Sequence, residues 1–402
     1  MRLATGVAIA ALSIALAACS STLSTPAAKQ FPATNSLVVL EYEAWFGPHA
    51  VTFQEAEAMP ILQSKDMQSV GGGYDSIDPH VIAQHLKWME YMGVDAASID
   101  LTNNVGCIFS SGPPSSDFCN PVNRQFRNMN RVIRDNTGNL YPAWSKLGSP
   151  VKLIPLLGCQ TKLDLQKGAD GKSGFQKEIE YFGGLMKQYP ALNVIYLGHP
   201  LMLVYVGTPV DPAILDSAKA VLRESGLDTE YTFRIVAGYL DSQPSFWEDP
   251  NHRADGPTRI APRYGFWSVV DRLKPKFALF PTYSTIPGSD AAENLTVSIA
   301  TAGQSGWGCP RPKLCPEVAS RYGPTGHTYV TLEAFMKLAA QLHPAFLILN
   351  QFNEFVTPDE GWDAQTSDDT EPTRLRRGWG YSGIDAVRNA ISIYKKSLRQ
   401  SE

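Results

Sequence analysis

The chain has 402 residues, a formal net charge of −4 and 18% charged residues; one barrel-type domain with insertions can fill that length. Without a basic excess it carries no electrostatic footprint for nucleic acid. Its aromatic content, 10% with 8 Trp and 16 Tyr, suits a large core or stacking on the apolar faces of sugars.

In chain order, the first signal is a short positive start, Met1-Arg2, followed by an apolar run from Leu3 to Ala18 that closes on Leu16-Ala17-Ala18-Cys19. The run is too short to span a bilayer and has secretory flanks. It resembles the bacterial lipoprotein signal. The resemblance implies cleavage after residue 18 and lipidation of Cys19, so that the protein meets the membrane through a lipid anchor. Ser20 rather than Asp at the next position points to the outer membrane of the cell envelope. Residues 19–36, rich in Ser, Thr, Pro and Ala, read as a flexible tether. Residues 37–398 remain for a folded domain.

Within that domain apolar strands alternate with amphipathic helices. Predicted strands are Leu37–Trp45, Ala96–Leu101, Val151–Leu157, Leu201–Val206, Phe233–Tyr239, Phe277–Tyr283, Thr296–Ala300 and Phe346–Asn350. Predicted helices are Asp78–Met92, Asn123–Asn136, Lys172–Gln188, Asp211–Ser225, Arg263–Leu273, Thr331–His343 and Gly383–Leu398. Asp78-Pro79 is a strong helix start, with an Asp cap and Pro at the first position. Strand–helix alternation implies parallel pairing, and eight strands close into an α/β (β/α)8 TIM barrel. A doubly wound open sheet is the structural rival, but the first strand runs into Glu41-Tyr-Glu-Ala-Trp-Phe-Gly-Pro48 rather than a glycine-rich phosphate fingerprint.

Polar groups gather where the apolar strands run out, which is where barrel enzymes place chemistry. The first strand delivers Glu41, Glu43 and Trp45 to one side by alternation. The second ends in Asp100, and the fifth is followed by Asp241. The sixth ends in Tyr283, and the eighth in Asn350, Asn353 and Glu354. A long loop then adds Trp362, Asp363 and Glu371 among further acids. Hydrolysis of a glycosidic bond usually needs two flanking carboxyls, one of them protonated. Glu354 is the first candidate, with Asp100 or Glu43 as its partner and Glu371 or Asp363 next in order. Trp45, Tyr283 and Trp362 are candidates to stack on sugar rings. Asn350 and Asn353 are candidates to hold sugar hydroxyls or to orient the Glu, and Asp241, Asp363 and Glu371 are candidates to bind substrate.

Six cysteines fit an oxidising compartment. Cys107 and Cys119 bracket one Gly/Pro/Ser loop, Cys309 and Cys315 another short loop, and both pairs read as small-loop disulfides. Cys159 is then left reduced. No metal is expected: CxxC and HExxH are absent, and the Asp359–Asp369 run lacks EF-hand spacing. No cofactor is expected. His80 and His85, on the first helix, read as surface or interlayer groups.

The residues at the strand ends also carry a family resemblance. Leu349-Asn-Gln-Phe-Asn-Glu-Phe355 resembles the SFNEW strand end of glycoside hydrolase family 99 endo-mannosidases, and Tyr42-Glu-Ala-Trp-Phe-Gly-Pro48 resembles their first strand. The stretch from Ile77 to Asp95 is similar to their first helix, and Phe266-Trp-Ser-Val-Val-Asp-Arg272 and Glu371-Pro372 have counterparts. The resemblance implies a TIM barrel, a carbohydrate substrate and a catalytic Glu354. It departs at Thr357, where the family carries its second catalytic Glu, so that role does not transfer. The expectation is an extracytoplasmic, endo-acting glycoside hydrolase. The alternative is a lipoprotein on the same fold that binds glycan without cleaving it.

Overall fold

The computed structural model describes residues 36–53, 56, 58–102, 105–109, 124–207, 211–237, 258–259, 266–268, 282–286, 289–299, 329–355, 367, 369–376 and 378–400. Its framework is one sheet. Strand β1 (Leu37–Tyr42) is flanked by β2 (Ala96–Leu101) and by the last strand, β11 (Phe346–Asn350), both parallel to it. Beyond β2 follow β3 (Lys152–Gly158), β5 (His199–Tyr205), β6 (Thr232–Ala237) and β8 (Phe266–Ser268). Beyond β11 lies β10 (Ala292–Ser298). These eight parallel strands occur in chain order around a curled sheet, and β8 returns to within 8 Å of β10 between Cα atoms. Among the described residues no hydrogen-bonded ladder joins that last pair. Three short strands decorate the sheet: β4 (Ile195–Tyr196) on β5, and β9 (Thr282–Thr285) with β7 (Thr258–Arg259) outside β10.

The strands alternate between two apolar surroundings. Val38, Leu40 and Tyr42 of β1, Ala97, Ile99 and Leu101 of β2, and Leu347 and Leu349 of β11 join the helix-packed core. The intervening residues face the inside of the curl. Burial on both faces is why β11 reads as an apolar run up to Asn350, whereas β2 carries Ser98 and Asp100 on the inner side. The core-facing helices are α1 (Pro79–Met92), α3 (Arg124–Leu147), α5 (Gly174–Gln188), α6 (Pro212–Glu224), α8 (Val330–Leu342) and α9 (Ser382–Gln400), with short α2 (Val105–Phe109), α4 (Lys162–Leu165) and α7 (Leu227–Glu230) between them. Asp78 caps α1 by accepting the His80 N–H at 2.9 Å, and Asp211 caps α6 through Ala213 in the same way.

Three predicted elements are corrected. The expected helix over Arg263–Leu273 is instead a strand at Phe266–Ser268, which pairs with Ile235–Ala237 of β6 and takes the sixth position in the sheet. Pairing with a neighbouring strand outweighs the local helical pattern, and the Phe-Trp pair suits a strand. The strand expected at Phe277–Tyr283 therefore does not fill that place; Tyr283 lies in β9, antiparallel to β10. Finally, α3 runs well past Asn136 to Leu147 despite Gly138 and Pro142. Burial of Leu140, Tyr141 and Trp144 outweighs the propensity cost of those two residues.

Opposite charges meet near the strand starts. Arg234 of β6 donates through Nε and Nη2 to Glu293 Oε1 of β10, at 2.9 and 2.7 Å, and Tyr196 donates to the same oxygen at 2.5 Å. Glu293 is fully buried. Glu293→Ala would strand a buried guanidinium, at a cost of about 3–5 kcal/mol. Urea unfolding should show that loss, and Arg234→Met combined with Glu293→Leu should recover much of it.

Candidate functional site

The ends of seven strands open onto one cavity of about 220 Å³, whose lining includes Glu41, Glu43, Trp45, Asp100, Asn350 and Glu354. Its lining comes from β1, β2, β3, β5, β6, β10 and β11 or the residues just after them. The side expected for Glu41, Glu43 and Trp45 from alternation is thus the cavity side. Glu41 and Glu354 keep partial exposure, whereas Glu43 and Asp100 are buried. Glu41, Glu43 and Asp100 each place a carboxylate oxygen within 4.8 Å of the others.

Crowding and burial shift these acids upward. Burial pushes Asp100 up to about 6, opposed by the Thr102 N–H that donates to its Oδ1 at 2.6 Å. Burial likewise pushes Glu354 up to about 7, opposed by a hydrogen bond from Gln351 and reinforced by Asp369 and Asp100. Glu41 is raised by burial first, then by Asp100 and Glu354. Glu43 is raised by burial and by the same group of acids. No Lys, Arg or His lines the cavity among the described residues. The protonated form is favoured because burial and neighbouring negative charges both penalise the charged form.

Local structure aims these groups. Beneath Glu43 lies a fully buried polar network. Asn353 Oδ1 accepts the Glu43 N–H, and Asn353 Nδ2 donates to the Glu43 carbonyl and to Tyr74 Oη, each at 2.9 Å. Tyr74 donates to Glu371 at 2.7 Å. The other Glu371 oxygen lies 3.2 Å from His85 Nε2, and His85 Nδ1 lies 3.1 Å from Tyr42 Oη. Trp45 donates its indole N–H to the Asp100 carbonyl at 3.4 Å, which leans the β1 extension against β2. The Asn350–Gln351 peptide is cis. Gly158, at the end of β3, allows a close approach: a Cβ there would lie 2.0 Å from the Thr102 carbonyl oxygen.

Several candidates are thereby placed differently from expectation. Asn353 is fully buried and spends its amide on the Glu43 backbone and Tyr74, which matches the orienting alternative rather than hydroxyl binding. Glu371 is also fully buried, beneath the site between Tyr74 and His85. Tyr283 packs against the core from β9 and does not line the cavity. His85 is the interlayer group, with no exposure. Asp241, Trp362, Asp363, Thr357, Cys19, Cys119, Cys309 and Cys315 lie outside the described residues. Cys107 lies in α2, and Cys159 is a buried free thiol that burial pushes upward. Glu41, which alternation puts on the same side as Glu43, also enters the site, and its position two residues before Glu43 on one face is the sequence signal for it. Gln351, Ser98 and Gln160, which also line the cavity, had no distinctive signal.

No family model matches the chain, and no curated protein matches it. Among solved structures, it is similar to a GH99 endo-α-mannosidase from Bacteroides thetaiotaomicron at 14% identity and a TM-score of 0.47, over 91% of this chain and 99% of that one. It is also similar to a glycoside hydrolase-like protein at 10% identity and a TM-score of 0.42, over 89% and 94%. These values leave the activity to be argued from the site itself.

Two outcomes follow from the geometry. Asn353→Ala deletes three buried hydrogen bonds and leaves the Glu43 backbone and Tyr74 short of partners. Denaturant unfolding should report a loss on the order of 2–4 kcal/mol. Glu354, whose pKa is raised on folding, binds more protons folded than unfolded, so its contribution to stability is present in acid and is lost as pH rises through about 7. Glu354→Gln should therefore raise the melting temperature at pH 8 and have little effect at pH 4.

Proposed function

We propose that the protein is a glycoside hydrolase acting on an oligo- or polysaccharide. The observation that carries this reading is the convergence of Glu354 with Glu41, Glu43 and Asp100 on one cavity at the strand ends. Glycoside hydrolysis usually needs a protonated carboxyl against the leaving oxygen and a second carboxylate beside the sugar ring. Glu354, partly exposed and pushed up to about 7, is suited to hold and return the proton. Asp100 is the partner carboxylate. Its backbone bond from Thr102 favours the charged form, which can oppose the positive charge that develops on the ring. Trp45 and Asn350 line the cavity, and in this reading they serve stacking and hydroxyl recognition.

The reading extends to a closed (β/α)8 barrel that cuts within chains, held in the bacterial cell envelope by a lipid on Cys19, with Cys107–Cys119 and Cys309–Cys315 disulfides shaping rim loops. The lipoprotein-type signal and the cysteine spacing support these parts. No described helix is long and apolar enough to cross a membrane.

The test is release of reducing ends from a panel of mannans, arabinans, galactans and N-glycans. Wild-type protein should cleave at least one, with activity falling as pH rises past about 7, where Glu354 loses its proton. Glu354→Gln should reduce the rate by about 10²–10⁴-fold. Full activity in that variant would refute the assignment. Binding without new reducing ends across the panel would favour the non-catalytic reading.

A further inference from the structure

We propose that Glu41, Glu43 and Asp100 form a binding site for one divalent metal cation, with Ser98 beside them. This goes beyond the hydrolase reading and does not rest on it. The arrangement begins in the strand register. Glu41 of β1 pairs with Ser98 of β2, and residues two positions on, Glu43 and Asp100, share the same face. All four line the cavity, so two adjacent strands present a block of four oxygen-bearing side chains to one space.

The spacing fits a hard cation. Each acid offers an oxygen within 4.8 Å of the others. Oxygens bound at calcium distances can lie at most about 4.6–5.2 Å apart, on opposite sides of the ion. Two buried atoms independently indicate a missing partner. Ser98 is 1% exposed and its Oγ makes no hydrogen bond among the described residues; Glu43, also 1% exposed, has Oε2 in the same condition. Buried polar atoms are ordinarily satisfied, and leaving them bare is costly. A cation would meet both needs where the described lining offers no Lys, Arg or His. An all-oxygen donor set favours Ca²⁺, Mg²⁺ or Mn²⁺ over zinc. A cation on Asp100 removes that carboxylate from pairing with Glu354, so occupancy and a free Asp100 exclude one another.

The test is calorimetric titration of chelator-stripped protein with CaCl₂, MgCl₂ or MnCl₂, without glycan. One-site saturable binding of at least one ion is expected. Glu41→Gln and Asp100→Asn should each weaken it by about tenfold or more, and Glu354→Gln much less. Melting curves without metal establish that each variant is folded. Ser98→Ala, which removes one oxygen only, is the second probe should a carboxylate variant fail to fold, and it too should weaken binding. No saturable binding of any of the three ions up to about 10 mM, beyond the weakest extracellular calcium modules, would overturn the proposal and leave protons as the only charge balance. Affinity unchanged in the folded variants would overturn it equally. Because no glycan is present, the titration reads metal binding alone, separately from the test of hydrolysis.

Discussion

The site depends on a buried polar network that joins the first strand to the last. Asn353, just past β11, grips both the N–H and the carbonyl of Glu43, just past β1. Tyr74, Glu371, His85 and Tyr42 continue the network into the loop after β1, the segment after Glu354, helix α1 and β1 itself. Every member is fully buried. An Asn side chain can satisfy one donor and one acceptor of a single backbone unit at once, so Asn353 fixes the relative height of two strand ends rather than merely bringing them together. Glu354 follows directly in the chain, and its carboxylate inherits that placement.

Around this anchor, aromatic packing supplies the rigidity. Phe46 stacks on Phe53 at 4.0 Å between ring centroids, Tyr74 meets both, and Phe355 joins them from the far side of Glu354. Trp379 stacks on Phe355 and donates its indole N–H to the Glu371 carbonyl at 2.8 Å. The residues flanking the acids are therefore locked by rings on one side and hydrogen bonds on the other. Such support lets a fold hold charges in a position they would not choose for themselves.

The charge pattern is the second constraint. Four acids share one cavity without a cation among the described lining residues, and the result is a set of carboxyl groups that hold protons well above the usual range. At the other end of the sheet the same problem is solved conventionally, with Arg234 and Tyr196 both donating to Glu293. One end is neutralised internally and stable. The other is left to be neutralised by protons, a ligand or an ion, which is how a binding or catalytic site differs from a structural ion pair.

The sequence by itself determined the strands whose hydrogen-bonding and apolar demands are local. Ala96–Leu101 and Phe346–Asn350 were legible residue for residue because burial on both faces keeps them mostly apolar, with Ser98, Asp100 and Asn350 as the polar residues that meet the cavity. Asp78-Pro79 marked its helix because capping is a matter of neighbours in the chain. The strand ends where Glu41, Glu43, Asp100 and Glu354 lie were legible for the same reason, since apolar runs turn polar there. Only tertiary structure decided that Phe266–Ser268, rather than Phe277–Tyr283, takes the sixth strand position, because three residues form a strand only when a neighbour supplies the ladder. It also decided that Asn353 and Glu371 support the site while Glu41 enters it. Those roles turn on which partner each polar atom meets, and the partners lie as far as 310 residues away in the chain, beyond the reach of any local pattern.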